Sequence, residues 1–176
     1  IKANTLTWAT SLLHLAYSFI WSQVSKQQEV LPWPIPRLRM VNGFICKSLK
    51  EISSAPGIGA TSHCSAYLIE EHIGEAEHPF MKYINNSRAV PLVTERHPRY
   101  NTTIFLCFMQ HVQYIYTERR VFISDFQGGE TLLTDPQIIT NPTLGIGLFG
   151  QGNLSTAFTD FPLQHECNKW CKWFRL

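Results

Sequence analysis

Charge of either sign is scarce in this sequence and nearly balanced: 15 Lys and Arg against 13 Asp and Glu leave a formal net charge of +2. Neither the basic footprint of a nucleic-acid binder nor the composition of a disordered acidic tail is indicated, and charge says little about partners. Cysteine is sparse as well. Five residues, at positions 46, 64, 107, 167 and 171, form neither an even set nor the dense framework of a small disulfide-stapled domain. Their usage predicts an intracellular, cytoplasmic setting, in which the N-x-S/T sequons at Asn85, Asn101 and Asn153 stay unmodified. Long apolar runs are missing too. Ala3 to Ser25 carries no Asp, Glu, Lys or Arg, but Asn4, Thr5, Thr7, Thr10, Ser11 and His14 interrupt it, and a membrane span needs about 20 predominantly apolar residues. Internal repeats and low-complexity segments are absent. The 176 residues fit one domain large enough to bury a core.

Within that frame, Ala9, Leu12, Leu13, Ala16, Phe19, Ile20 and Val24 follow the i, i+3, i+4 stripe of an amphipathic helix on a core. The prolines of "LPWPIPR" then predict an extended connector. "RMVNGFICKSL" and "CSAYLIEE", on either side of the turn-rich "SSAPGIGATS", read as two strands that pair. "GEAEHPFMKYINNSRAVPL" reads as a loop with a short helix. Thr102 to Thr117 carries a helical stripe at Ile104, Phe108, Val112 and Ile115, and a tight turn, a strand over 121–126 and a glycine turn follow. The fold class expected is α+β.

Three constellations bear chemistry. In "SDFQGG", Asp125 and Gln127 lie two apart, on one side of a strand end, and Asp135 follows in "LTDPQI". Hard oxygen donors of this kind suit Mg²⁺ shared with substrate phosphates. The competing reading makes Thr134 or Asp135 a helix N-cap with Pro136 in the first turn. "GIGLFGQGNLS" holds a formal G-x-G-x-x-G, but it lies too near the end to open a dinucleotide-binding βαβ unit. Its backbone N–H groups, with Asn153, could face an anion, or it is an ordinary surface turn. Finally, "QHECNKWC" sets His165, Cys167 and Cys171 at H-x-C-x3-C spacing, one ligand short of a tetrahedral zinc site. His14, His63, His72, His78, His97, His111, Cys46, Cys64 and Cys107 are candidates for the fourth. His111 is conspicuous on an apolar helix, although a hydrogen-bonded core histidine would explain it equally.

The ordered set "SDFQGG", "LTDPQI", "FGQGNL" and "HECNKWCKWFRL" resembles the C-terminal half of the alpha-kinases, the atypical protein kinases. The resemblance implies a protein-kinase-like α+β fold, with a partial upper lobe over 1–71 and a zinc-containing lower lobe over 72–176. It implies His111 as the fourth ligand of structural Zn²⁺, beside His165, Cys167 and Cys171. It further implies Gln127 and Asp135 on Mg²⁺, Asp125 beside the transferred phosphate, and Gly150, Gly152 and Asn153 as the glycine-rich loop on the substrate side. "YLIEEHIGEAEHPFMKY" is similar to the family's hinge element, which sets the backbone of Glu71 and Ile73 against the adenine of ATP. Ser155 replaces a common glycine, and extra residues stand between Gly74 and Phe80. The implied activity is ATP-dependent serine/threonine phosphorylation of a protein substrate, with neither nucleic acid nor membrane as partner. The family carries its ATP-covering loop and catalytic lysine on strands before the first helix, whereas this chain opens at that helix. Such a chain alone is expected to transfer little phosphate, and the alternative is a non-catalytic, zinc-stabilised kinase-like binding module.

Overall fold

The computed structural model describes residues 1–48, 65–145 and 147–176. The segment "SSAPGIGATS" and the ligand candidates His63 and Cys64 lie outside them. Helix α1 spans Lys2–Lys26 and buries Leu12, Leu13, Ala16, Phe19 and Ile20, the stripe read from the sequence. No described helix is long and apolar enough to cross a membrane. The stripe packs on helix α2, Tyr100–Tyr116, whose Phe105, Phe108, Met109 and Val112 are fully buried. Each such side chain contributes about 1.5–3 kcal/mol on removal from water. Ile115, the last residue of the predicted α2 stripe, is instead exposed.

The proline-rich connector runs extended, held where Tyr17 Oη donates to Pro36 O and accepts from Leu38 N. Beyond it the single strand expected over 39–49 is two: β1, Arg39–Met40, and β2, Gly43–Lys47. The chain divides at Asn42, whose carbonyl, amide and side chain are all taken by Glu71. β2 pairs antiparallel with β3, Ala66–Glu70, as their adjacency predicts. β1 joins a second sheet of order β1-β7-β6-β4, made with β4 (Met81–Lys82), β6 (Gln127–Gly128) and β7 (Leu132–Thr134). In the third, β5 (Val121–Ser124) pairs antiparallel with β8, Gln137–Thr140. Two buried α2 amides complete β5: Gln113 accepts from Ile123 N at 2.9 Å and Gln110 donates to Ile123 O at 2.9 Å. Helices α3, Ser155–Gln164, and α4, Lys169–Phe174, close the chain. Trp170 and Phe174 of α4 lie against the α2 aromatics, with Trp170 4.8 Å from Phe105 and Phe174 5.0 Å from Phe108, ring centre to ring centre.

Candidate functional site

The residues of "SDFQGGETLLTD" are brought together by short strands rather than by one long one. β5 stops at Ser124, and Asp125 takes a left-handed φ of 56°, so Asp125 and Gln127 do not share the face of a continuous strand. Strand pairing performs the convergence. Gln127 lies between Lys82 on β4 and Thr134 on β7, which puts their side chains on one face. Lys82 Nζ reaches Asp125 Oδ1 at 2.7 Å, as an ion pair without hydrogen-bond alignment. Gln127 Nε2 lies 3.4 Å from Asp135 Oδ2. Sequence reasoning passed over Lys82, since only the pairing of β4 with β6 carries it to Asp125.

The helix-cap reading of Asp135 is overturned, because strand β8 and not a helix follows Pro136. Asp135 occupies the β7–β8 turn with φ 44°, a conformation that Asp and Asn tolerate better than other side chains. Its Oδ1 meets Lys2 Nζ of α1 at 3.1 Å. A half-exposed carboxylate already attracting a cation, next to an amide, fits Mg²⁺, with Asp135 and Gln127 as the residues to hold it.

The glycine pair behind Gln127 has a steric cause. Gly128 has φ 155°, and a Cβ there would stand 2.0 Å from Leu132 O. The turn is further clasped by Glu77, which accepts from Thr131 N at 2.6 Å, from Leu132 N at 3.0 Å and from the Thr131 hydroxyl.

In the loop before α3, Gly150 has φ 83° and Phe149 φ 62°. Asn153 spends its side chain on that loop: Oδ1 accepts from Thr140 N at 2.9 Å, while Nδ2 donates to Thr140 Oγ1 at 2.7 Å and Leu148 O at 2.9 Å. It thus fixes the loop to β8, and its own side chain is not free to meet an anion. Gly150 and Gly152 line a cavity of about 280 Å³ together with Lys2, Glu70 and Asp135. A larger cavity, about 700 Å³, is lined by Trp8, Tyr116, Glu118 and Leu148 and includes neither Asp125 nor Asp135.

At the proposed hinge, the Glu71 carboxylate receives both Arg39 guanidinium nitrogens at 2.7 Å, and Asn42 N and Nδ2 at 3.1 and 3.0 Å. These bonds, Arg39 foremost, hold its pKa down at about 2. Its N–H donates to Asn42 O at 2.8 Å, and Ile73 packs on the core, so both residues are fixed.

The third constellation assembles where the C-terminal segment meets α2. His111, His165, Cys167 and Cys171 bring one ligand atom each within 4.8 Å of one another. Cys171 Sγ lies 3.5 Å from His165 Nε2, and Cys167 Sγ 3.9 Å from His111 Nδ1. Tetrahedral zinc, with bonds of about 2.0–2.3 Å, sets its ligand atoms about 3.3–3.8 Å apart. The Cys171–His165 pair has that spacing and the Cys167–His111 pair lies just beyond it, so the four residues fit the ion with small side-chain shifts that close the set from 4.8 Å. Burial lowers the pKa of both imidazoles, that of His165 to about 4, which leaves them neutral and ready to ligate. Burial raises the Cys171 thiol to about 12, so its thiolate needs a neighbouring cation. Asn168 orders the segment between the cysteines, capping Trp170 N at 2.9 Å and donating to Ile104 O at 2.7 Å. The other described candidates, His14, His72, His78, His97, Cys46 and Cys107, are not in the group.

Comparison with known proteins gives three findings. The sequence pattern of the Alpha-kinase family matches residues 13–171. Myosin heavy chain kinase C of Dictyostelium discoideum is 33% identical over 101 residues, 57% of this chain and 12% of that protein. Among solved structures, the alpha-kinase domain of myosin heavy chain kinase A in complex with AMP superposes on all of this chain with a TM-score of 0.57 and 20% identity. The same domain in complex with adenosine gives 0.61 and 21% over 98% of the chain. The chain covers 61% and 55% of those two domains.

Proposed function

Because the chain belongs to the alpha-kinase family, we propose that it forms part of an ATP-dependent protein kinase that phosphorylates serine or threonine hydroxyls. The lower lobe over 72–176 supplies the metal and substrate side of the cleft, and residues 1–71 supply part of the upper lobe with the hinge. One observation carries the reading. Gln127, Asp135 and the Asp125–Lys82 ion pair converge on neighbouring strand ends, and the cavity at Asp135 is floored by the glycine-rich loop.

Gln127 and Asp135 would hold Mg²⁺, which when bound neutralises charge on the ATP phosphates. The substrate hydroxyl oxygen bonds to the γ-phosphorus as the bond from that phosphorus to the β–γ bridging oxygen breaks. Asp125 takes the hydroxyl proton and ADP leaves. Lys82 pairs with the nearly buried Asp125 carboxylate and holds it aimed. The backbone at Glu71 and Ile73 meets the adenine, and the clasp on the Glu71 carboxylate holds that backbone still. His111, His165, Cys167 and Cys171 would bind structural Zn²⁺ away from the transfer step.

The test is Asp135→Asn in the full-length protein, assayed for transfer of labelled phosphate from ATP to a basic protein substrate. Asn keeps the left-handed turn, so stability should change little, while transfer should drop by at least about 10²-fold. Undiminished transfer at parental stability overturns the assignment.

A further inference from the structure

Lys2 is the one Lys or Arg among the described residues that line the cavity at Asp135. Its ammonium sits 3.1 Å from Asp135 Oδ1, on a side chain that remains 75% exposed. The opposite carboxylate oxygen faces Gln127. Glu70 also lines the cavity, its carboxylate accepting from Thr134 Oγ1 at 2.7 Å, so without Lys2 the charged side chains of the lining are wholly acidic. An acidic lining repels a nucleotide's phosphates. It attracts a divalent cation, and an ammonium on the same oxygen competes for it.

We propose that Lys2 is a phosphate-binding cation of this cleft, resting on Asp135 until a divalent ion takes that carboxylate and then turning to the nucleotide's phosphates. The inference builds on the reading of Asp135 as a metal ligand. Lys2 and Asp135 line one cavity of about 280 Å³, and the flexible four-carbon stem rooted in the first turn of α1 lets the ammonium turn from the carboxylate toward a ligand there. The bond made at rest is an exposed ion pair, a weak contact that a divalent ion displaces. The one made afterwards is a charge-assisted hydrogen bond to phosphate. Loss of Lys2 therefore has opposite effects on the two ligands, which a merely structural role would not produce.

The experiment compares the parent chain with Lys2→Gln, Lys2→Arg and Asp135→Asn. Mn²⁺ alone is titrated first, followed by paramagnetic relaxation of water, and then ATP and adenosine are titrated calorimetrically with saturating Mg²⁺. Lys2→Gln should bind Mn²⁺ about two- to five-fold more tightly, because an exposed competitor is gone. It should bind ATP about tenfold more weakly, with adenosine unchanged. Lys2→Arg should return both values toward the parent. Mn²⁺ affinity unaltered by Lys2→Gln, or ATP and adenosine affected alike, overturns the role of Lys2. Mn²⁺ bound as tightly by Asp135→Asn as by the parent overturns the metal reading itself, and the Lys2 proposal with it.

Discussion

Cys167→Ser separates the metal reading from every other account of the C-terminal segment. Cys167 is exposed, and exchanging one exposed sulfur for oxygen at a position without a special role alters stability by no more than about 0.5 kcal/mol. As a metal ligand the same residue supports a site that joins α2 to the chain before α4, tying together positions 56 residues apart. Structural zinc contributes on the order of 10 kcal/mol to folding in small domains, which is comparable with the whole stability of a typical protein. The site here is braced by independent packing: Trp170 is 1% exposed and Phe174 5%. Part of the helix therefore stays docked without metal, and a loss of at least about 4 kcal/mol is expected rather than complete unfolding. At about 2–4 °C per kcal/mol for a chain of this size, the melting temperature should fall by about 8–16 °C. The assays are thermal unfolding and elemental zinc content of the same samples. The parent should carry one zinc per chain and Cys167→Ser much less, and a strong chelator should bring the parent down to the variant's melting temperature. A parent free of zinc, or a Cys167→Ser protein melting within 2 °C of it, refutes the reasoning.

Two further outcomes test the supports of the site. Gly128→Ala should cost about 3 kcal/mol or more in urea unfolding, since φ 155° strains an alanine and its Cβ meets a carbonyl oxygen that cannot move without breaking β6–β7 pairing; a change below about 1 kcal/mol sinks that account of the glycine pair. Glu71, with its pKa lowered from 4.5 to about 2, stabilises the fold fully above pH 4.5 and loses that contribution as pH falls through 2. The stability gap between the parent and Glu71→Gln should therefore close across this window in urea titrations, and a gap that is constant with pH contradicts the clasp.

Much of the fold was legible because its periodicity is local. The α1 stripe from Ala9 to Ile20 and the α2 stripe through Val112 are buried as read, since a helix face is set by residues three and four apart. The β2–β3 pair followed from adjacency. Short strands were less readable. β4 and β6 have two residues each, too few for any alternation to register, and their place depends on partners distant in the chain. The same cause gave the helix-cap alternative for Asp135 its weight: Thr-Asp-Pro is a good helix start taken alone, and pairing of β8 with β5 overrode it.

The sequence by itself determined the ligand types, their order and the glycines: His165, Cys167 and Cys171 announce soft-metal chemistry, and Asp125, Gln127 and Asp135 announce hard-cation chemistry, because donor identity is a property of the residue. Tertiary structure alone decided which residues meet. Packing of α4 on α2 brings His111 to within ligand distance of the C-terminal three. Strand register lays Lys82 beside Gln127 and carries it to Asp125, and docking of α1 places Lys2 on Asp135. These contacts join residues 43 to 133 positions apart in the chain. At such separations no local pattern survives, and the pairing is fixed by burial of the core between them.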